Sequence, residues 1–162
     1  MDYINIPEDR ISVLIGPKGT TKRRIEKLGE SKLRISNNGN VNIEGENIIV
    51  KSVVEAIGRG FNPRTAMKLF DDEYLFEIIE LTDYSNSKNR LGVIRARVIG
   101  REGAVRKSIE VQTGVNLAIK GKTVSIIGKS EAVYLARRSL EMILAGSQHG
   151  SSFRWLKDQL SD

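Results

Sequence analysis

Cysteine is absent from this chain of 162 residues, and histidine and tryptophan each occur once. Without cysteine there is no disulfide framework, no thiolate metal site and no cysteine nucleophile. The sequence also lacks an apolar run close to the roughly 20 residues that a membrane-spanning helix needs. Its N-terminal segment, MDYINIPEDR, contains neither the basic stretch nor the apolar stretch of a secretory signal. These absences exclude cysteine-dependent chemistry and predict a cytoplasmic protein.

Catalytic motifs are missing as well. The segment 127–130 (IGKS) ends like a phosphate-binding P-loop, but Thr123 stands where that motif requires a glycine. The segment 58–60 (GRG) lacks the third glycine of a dinucleotide-binding loop, because Pro63 occupies its place. His149 has no cysteine or carboxylate at the spacing of a metal site or a catalytic relay. We therefore expect a protein without enzymatic activity, metal or cofactor.

Positive charge is in excess and unevenly distributed. The chain has 26 Lys and Arg against 20 Asp and Glu, a formal net charge of +6. Residues 10–57 contain nine basic and five acidic side chains, and residues 90–140 contain eleven and three. Residues 71–83 between them contain six acidic side chains and no basic one. Two basic blocks separated by an acidic segment favour an anionic partner, with nucleic acid as the first candidate.

An internal repeat organises the chain. When VLIGPKGTTKRRIEKL is placed over RVIGREGAVRKSIEVQ at an offset of 84 residues, glycines fall on glycines and basic residues on basic residues. The coinciding pairs are Ile15 and Ile99, Gly16 and Gly100, Gly19 and Gly103, Lys22 and Arg106, Arg23 and Lys107, and Ile25 and Ile109. This period is too long for a solenoid, so each copy is predicted to be a small domain with its own core.

The predicted architecture is α+β. Hydrophobic spacing and turn signals predict the same order in each copy, namely strand, helix, helix, strand, strand, helix. In the first copy, Thr20 is the predicted N-cap of the second helix and Asn38-Gly39 the turn of the hairpin. Pro63 is predicted to begin a helix between the copies. The predicted domains are residues 1–60 for the first module, 61–73 for a linker helix, 74–146 for the second module, and 147–162 for a C-terminal helical tail.

A Gly-x-x-Gly loop between two short helices, within the order β-α-α-β-β-α, resembles the KH domain. Only about a dozen residues precede the first loop, which fits a type I module and leaves no room for the extra elements of type II. The resemblance covers both copies and implies two tandem type I modules, each a three-stranded antiparallel sheet packed on helices. It also implies that each loop clamps four nucleotides of single-stranded nucleic acid, with the bases over an adjoining apolar groove.

Placing this motif on the chain yields the predicted RNA-binding residues. Glycine lets a loop approach a sugar–phosphate backbone closely, and loop N–H groups and the positive end of the following helix attract phosphate. The predicted set is Ile15, Gly16, Pro17, Lys18, Gly19, Lys22, Arg23, Arg97, Ile99, Gly100, Arg101, Glu102, Gly103, Arg106 and Lys107. Pro17 lacks one backbone donor and Glu102 adds a negative charge, so the loops are not expected to bind equally. More arginines surround the second loop, which is therefore expected to bind more strongly.

The same features also have structural explanations, and the sequence leaves both open. The glycines suit a tight turn between helices, the basic residues suit a solvated helix face, and the isoleucines, with Leu33 and Leu117, suit a core. The acidic segment 71–83 and the tail with its aromatic residues and His149 also suit a protein–protein adaptor with weak, nonspecific RNA affinity.

One KH family resembles the whole arrangement. The stretch GRGFNPRTAMKLFDDEY between the copies and HGSSFRWL in the tail are similar to the archaeal relatives of the eukaryotic partner-of-Nob (Krr-like) pre-rRNA processing factors. This resemblance implies a ribosome-biogenesis protein that binds single-stranded RNA at the 3′ end of the small-subunit rRNA, and we expect the protein to be a monomer. It further implies contact with the alpha subunit of translation initiation factor two and with the endonuclease that matures that end.

Overall fold

Two three-stranded antiparallel sheets, each packed against helices, form the framework of the computed structural model, which describes residues 2–161. The chain divides into two compact units, one up to Tyr74 and the other from Leu75 onward. The α+β architecture predicted from the sequence is confirmed. No helix within residues 2–161 is long and apolar enough to cross a bilayer.

The first unit is built around a sheet in which β3 lies between β1 and β2. Its elements are β1 (Asp2–Asn5), α1 (Ile11–Ile15), α2 (Thr20–Leu28), β2 (Lys32–Ile35), β3 (Asn40–Glu44) and α3 (Ile49–Gly58). Alternation along β3 buries Val41 and Ile43, while the asparagines at 40 and 42 face outward. Leu33 lies opposite Ile43 in the pairing of β2 with β3, so the apolar side chains share one face with the helices above them.

A short helix, α4 (Pro63–Ala66), follows α3 and belongs to the first unit. The side chain of Asn62 accepts a hydrogen bond from the N–H of Thr65 at 2.9 Å, and Pro63 occupies the first helical position. Both features are typical helix starts, and they explain why the predicted helix does begin at Pro63.

The second unit repeats the order of the first. Its elements are β4 (Tyr74–Glu80), α5 (Lys88–Ile99), α6 (Ala104–Thr113), β5 (Asn116–Lys120), β6 (Thr123–Lys129) and α7 (Ser130–Leu144). The sheet order is β4-β6-β5, which matches the order β1-β3-β2 of the first unit. The core of this unit includes Ile94, Ile109, Ile126 and Leu140, all almost fully buried. The sequence repeat is therefore a repeat of topology as well.

The tail forms a helix of 12 residues, α8 (His149–Leu160), that packs on α7. Leu156 is fully buried. The hydroxyls of Ser139 on α7 and Ser152 on α8 are both fully buried and lie 2.6 Å apart, within hydrogen-bonding distance. The tail is thus packed into the core of the second unit.

Candidate nucleic-acid interface

The two Gly-x-x-Gly loops adopt the same backbone conformation. The first glycine has φ and ψ of 73° and 174° in one loop and 78° and 172° in the other, a region that is essentially restricted to glycine. The third residue has φ of 54° in both loops, and the second glycine has φ of 76° or 78°. The matched residues are Gly16 and Gly100, Lys18 and Glu102, and Gly19 and Gly103.

The first glycine of each loop is required by local packing. A Cβ on Gly16 would lie 2.9 Å from the backbone nitrogen of Thr21, and a Cβ on Gly100 would lie 2.6 Å from that of Val105. Real Cβ atoms essentially never approach backbone this closely. For these two glycines, the tight-turn explanation from the sequence is correct.

The second glycine of each loop has more open surroundings. A Cβ on Gly103 would meet no atom within 4 Å, and one on Gly19 would meet only the flexible side chain of Arg23. Packing within the protein therefore does not explain the second glycine, although its positive φ favours glycine. Open space above a backbone without a side chain is what the close approach of a sugar–phosphate chain requires.

The loop itself replaces the cap of the helix that follows. Thr20 is the first residue of α2 and Gly19 occupies the cap position, so the prediction of Thr20 as N-cap is wrong. The reason is that Gly19, in the left-handed conformation, already turns the chain into the helix. Gly103 does the same before α6, and neither helix start has a side-chain cap. The positive ends of α2 and α6 therefore have no capping side chain that would compete with a bound anion.

One basic residue beside each loop is paired with a carboxylate. Lys22 Nζ lies 3.5 Å from Glu26 Oε2, and Arg106 Nε lies 3.4 Å from Glu110 Oε1. Both pairs span one helical turn, and both cations remain partly exposed. Pairing at this spacing restrains the cations on the helix surface without removing them from solvent.

The same two carboxylates bind the neighbouring edge strand. The N–H of Leu33 on β2 donates to Glu26 at 2.8 Å, and the N–H of Leu117 on β5 donates to Glu110 at 2.9 Å. Sequence reasoning missed both glutamates. The available signal was that they coincide at the same offset of 84 residues as the loops.

The remaining predicted residues near the loops are accessible. The exposed residues are Pro17, Lys18, Arg23, Arg101, Glu102 and Lys107.

The apolar residues near the loops are less exposed. Ile15 and Ile99, which precede the loops, are half-buried. Leu33 and Leu117 are buried, so their assignment to the core is correct. An apolar surface beside each loop is therefore supplied by the isoleucines.

Arg97 differs from the other predicted residues. Its guanidinium donates to the carbonyl of Ile143 at 2.8 Å and to that of Ser147 at 2.6 Å, at the end of α7. His149 Nε2 lies 2.9 Å from the carbonyl of Arg97. These contacts give Arg97 a structural role, and its contact with RNA stays a prediction.

Tyr84 is an ionisable group whose pKa is shifted by its surroundings. Burial, and next the charge of Glu141, raise the pKa of the Tyr84 hydroxyl, which lies outside both loops in the sequence. Within residues 2–161, no three metal-ligating side chains cluster.

Three features recur beside the loops of both units. These are a second glycine with open surroundings, a helix start without a side-chain cap, and basic side chains in the following helix.

Comparison with known proteins identifies the family. Residues 75–160 match the model of the PNO1-type KH domain, described as a eukaryotic type KH-domain (KH-domain type I). A KH domain-containing protein of Methanocaldococcus jannaschii is 42% identical over 165 residues, which cover 97% of this chain and 73% of that protein.

Comparison with solved structures points to the same family. A chain in the a/eIF2alpha–aDim2p–rRNA complex from Pyrococcus horikoshii matches with a TM-score of 0.91 and 39% identity, over 99% of this chain and 94% of that chain. Dim2p from the same organism matches with a TM-score of 0.87 and 39% identity, over 97% and 98%. A protein of unknown function from Aeropyrum pernix matches with a TM-score of 0.91 and 27% identity, over 98% and 89%. The resemblance stated from the sequence is therefore confirmed, and the chain belongs to the PNO1-type, Dim2-like family of KH-domain proteins.

Proposed function

We propose that the chain is an RNA-binding protein with two tandem type I KH modules, each holding single-stranded RNA at its Gly-x-x-Gly loop. The observation that carries this proposal is the matched backbone of the two loops, each with an exposed basic residue after it. The family model covers the second unit alone. The first unit is included because its topology and its loop dihedral angles match those of the second.

The geometry suggests how each loop would act. The RNA backbone passes over the open second glycine, Gly19 or Gly103, and its phosphates face the uncapped helix start. Basic side chains of the first helical turns attract neighbouring phosphates, which supplies affinity without sequence preference. The half-buried Ile15 and Ile99 offer apolar surface to the bases, where sequence is read. This is binding chemistry, and we propose no catalytic role.

The partners are proposed from the relatives. The similar chain from Pyrococcus horikoshii belongs to a complex with rRNA and a/eIF2alpha, and it shares 39% identity over almost the whole chain. We extend both partner classes to this protein and propose a role in small-subunit ribosome biogenesis in the cytoplasm. The 3′ end of the small-subunit rRNA is the proposed RNA, and the endonuclease that matures this end is a further proposed partner.

Fluorescence anisotropy tests the proposal. A short single-stranded RNA copying the 3′ end of small-subunit rRNA is titrated beside a scrambled RNA and a duplex, at several salt concentrations. We expect selective binding of the first RNA with a moderate salt slope. Equal and steeply salt-dependent binding of all three would reduce the function to general attraction of phosphate.

A second candidate function is that of a protein adaptor. The similar chain in the Pyrococcus complex is accompanied by a protein, a/eIF2alpha, as well as by RNA. Pull-down of the alpha subunit by this chain, with no binding of any RNA by the same preparation, would favour the adaptor over the proposed RNA-binding function.

A further inference from the structure

A cleft of about 290 Å³ lies beside the start of α2 in the first unit. It is formed by α2 on one side and by α4 and the residue after it on the other. The lining residues are Thr20, Thr21, Arg24, Pro63, Arg64 and Met67. None of the functions assigned above uses this cleft.

The cleft has the chemistry of an anion site. Two guanidinium groups and two hydroxyls line it, and no acidic side chain does. Arg24 and Arg64 are exposed, and within residues 2–161 neither side chain forms an ion pair or a hydrogen bond. Guanidinium groups present forked N–H donors that match the oxygens of a phosphate, so two unpaired arginines in one cleft favour a phosphate group.

The second unit lacks this set of side chains. At the offset of 84 residues, Ala104 replaces Thr20, Val105 replaces Thr21 and Ser108 replaces Arg24. The hydroxyl of Ser108 is already bonded to Gln112, at 2.8 Å. The backbone is repeated between the units, while the polar side chains that α2 contributes to the cleft are not repeated on α6.

The position of the cleft relates it to the loop. With about 100° between successive helical residues, Thr20 and Arg24 lie on the flank of α2 opposite to Lys22. Gly19 stands between these flanks, at the start of the helix. A strand that passed over Gly19 from the Lys22 flank would bring its next phosphates toward the cleft.

We propose that this cleft binds a backbone phosphate of the same RNA strand, next to the nucleotides held by the first loop. This inference rests on the proposed RNA-binding function. The extra phosphate contact would compensate for the backbone donor that Pro17 removes from the first loop. The first module would then bind a longer segment of RNA than the second.

The test compares a cleft variant with a control of equal charge. The cleft variant carries Arg24→Gln and Arg64→Gln, in which glutamine keeps most of the stem of each side chain. The control carries Lys51→Gln and Lys157→Gln, which removes the same charge at exposed positions on α3 and α8, outside the cleft. Each protein is titrated with single-stranded RNA of about four nucleotides, the length that one KH clamp holds, and with RNA of about ten.

We expect the cleft variant to bind the longer RNA about tenfold more weakly, which corresponds to the loss of one charge-assisted contact. The slope of log affinity against log salt should become less steep by about 0.7, the value for one phosphate of a single strand. Binding of the short RNA should stay at the wild-type level, and the control should match the wild type with both RNAs. Circular dichroism checks that both variants are folded.

Four results would overturn the inference. An equal loss in the control would show a general effect of charge, and an equal loss with both RNA lengths would show that the two arginines do not contact a further phosphate beyond the four nucleotides of the clamp. Unchanged binding by the cleft variant, when Gly103→Asp does lose RNA, would remove the cleft and leave the proposed function standing. Failure of the wild type to bind any RNA would overturn both together.

A direct readout separates contact from long-range attraction. In ¹⁵N-resolved NMR spectra, the Nε–Hε resonances of Arg24 and Arg64 should shift when the longer RNA is added. Arg137 is the internal control, because its guanidinium is already paired with Glu77 and Glu141. Shifts confined to Arg23 and the loop residues would contradict the inference.

Discussion

The two glycines of each loop are required for different physical reasons. The first is surrounded by the backbone and side chain at the start of the next helix, so any Cβ there collides with atoms that cannot move independently. The second glycine of the second loop faces open space, and only its positive φ disfavours other residues. The fold therefore requires the first glycine, and the second glycine leaves the loop backbone open to solvent.

This difference predicts unequal stability losses for two alanine variants. Gly100→Ala places a Cβ 2.6 Å from the nitrogen of Val105 and should lower the free energy of unfolding by about 3 kcal/mol or more. Gly103→Ala should cost about 1 kcal/mol, the strain of a left-handed alanine. Urea unfolding followed by the fluorescence of Trp155, which lies in the second unit, measures both. Equal losses would contradict the assigned roles.

The glutamate beside each loop has two functions that substitutions can separate. Glu110→Gln keeps an oxygen that accepts from the N–H of Leu117 but removes the charge opposite Arg106. We expect stability close to the wild type and RNA affinity that is equal or somewhat higher, because Arg106 is then freed for phosphate. Glu110→Ala removes the acceptor as well and should cost about 1–2 kcal/mol.

Thermal unfolding and anisotropy titration of the two Glu110 variants give the comparison. If Glu110→Gln weakened RNA binding while leaving the melting temperature unchanged, the ion pair would be positioning Arg106 for RNA. The interpretation that the pair merely restrains an available cation would then be wrong.

At the scale of elements, one arginine in each unit donates to two carbonyls at or just beyond the end of a helix, which is α3 in the first unit and α7 in the second. Arg10 donates to the carbonyls of Ile57 and Phe61, both at 2.7 Å, and Arg97 makes the corresponding contacts at the end of α7. The two arginines do not coincide in the sequence repeat, since Arg10 falls on Ile94. The contact recurs although the residue position does not.

The order of elements could be predicted from sequence, because hydrophobic period, Pro63 and the Asn38-Gly39 turn are local signals. Helix α7 (Ser130–Leu144) is the longest helix in the described residues, and its apolar spacing is likewise a local signal. Contacts between distant segments could not be predicted. The arginine caps join residues 46 to 51 positions apart, and their formation depends on how the elements pack. The packing of α8 on α7 escaped prediction for the same reason.

The tail helix α8 should contribute measurably to the stability of the second unit. Leu156 is fully buried, and Leu156→Ala should lower the free energy of unfolding by about 2–5 kcal/mol. Leu160 on the same helix is 42% exposed and serves as the matched control, for which alanine should cost much less. Far-UV circular dichroism during urea unfolding measures both variants. A Leu156→Ala protein as stable as the control would mean that the tail is not part of the cooperative core.

At the scale of the molecule, duplication has preserved backbone geometry more strictly than side-chain chemistry. Corresponding loop angles differ by no more than 5° between the units. In contrast, the loop centres differ in charge, with Lys18 in one and Glu102 in the other, and the polar lining beside Gly19 is absent beside Gly103. The two loops thus have the same backbone geometry in different electrostatic surroundings.

This asymmetry makes a prediction about how the two loops share one RNA. If both loops hold single-stranded RNA, Gly19→Asp and Gly103→Asp should each weaken binding of an RNA long enough to reach both, because aspartate blocks the backbone approach and repels phosphate. Two linked modules on one strand bind far more tightly than either alone, since the second contact forms at high effective concentration. Each single variant should therefore lose much more affinity for long RNA than for an RNA of about four nucleotides.

Isothermal titration calorimetry distinguishes the possible outcomes, because it reports stoichiometry as well as affinity. The wild type should bind two short RNAs but one long RNA, and each single variant should bind one short RNA. The control is Gly150→Asp. Gly150 lies on α8, far from both loops in the sequence, and a Cβ added there would meet no atom within 4 Å. If Gly19→Asp changed neither the stoichiometry nor the affinity while Gly103→Asp abolished RNA binding, RNA would be bound by the second unit alone. The first loop would then retain its geometry without its function, since the dihedral angles follow from packing around Gly16 whether or not RNA is present.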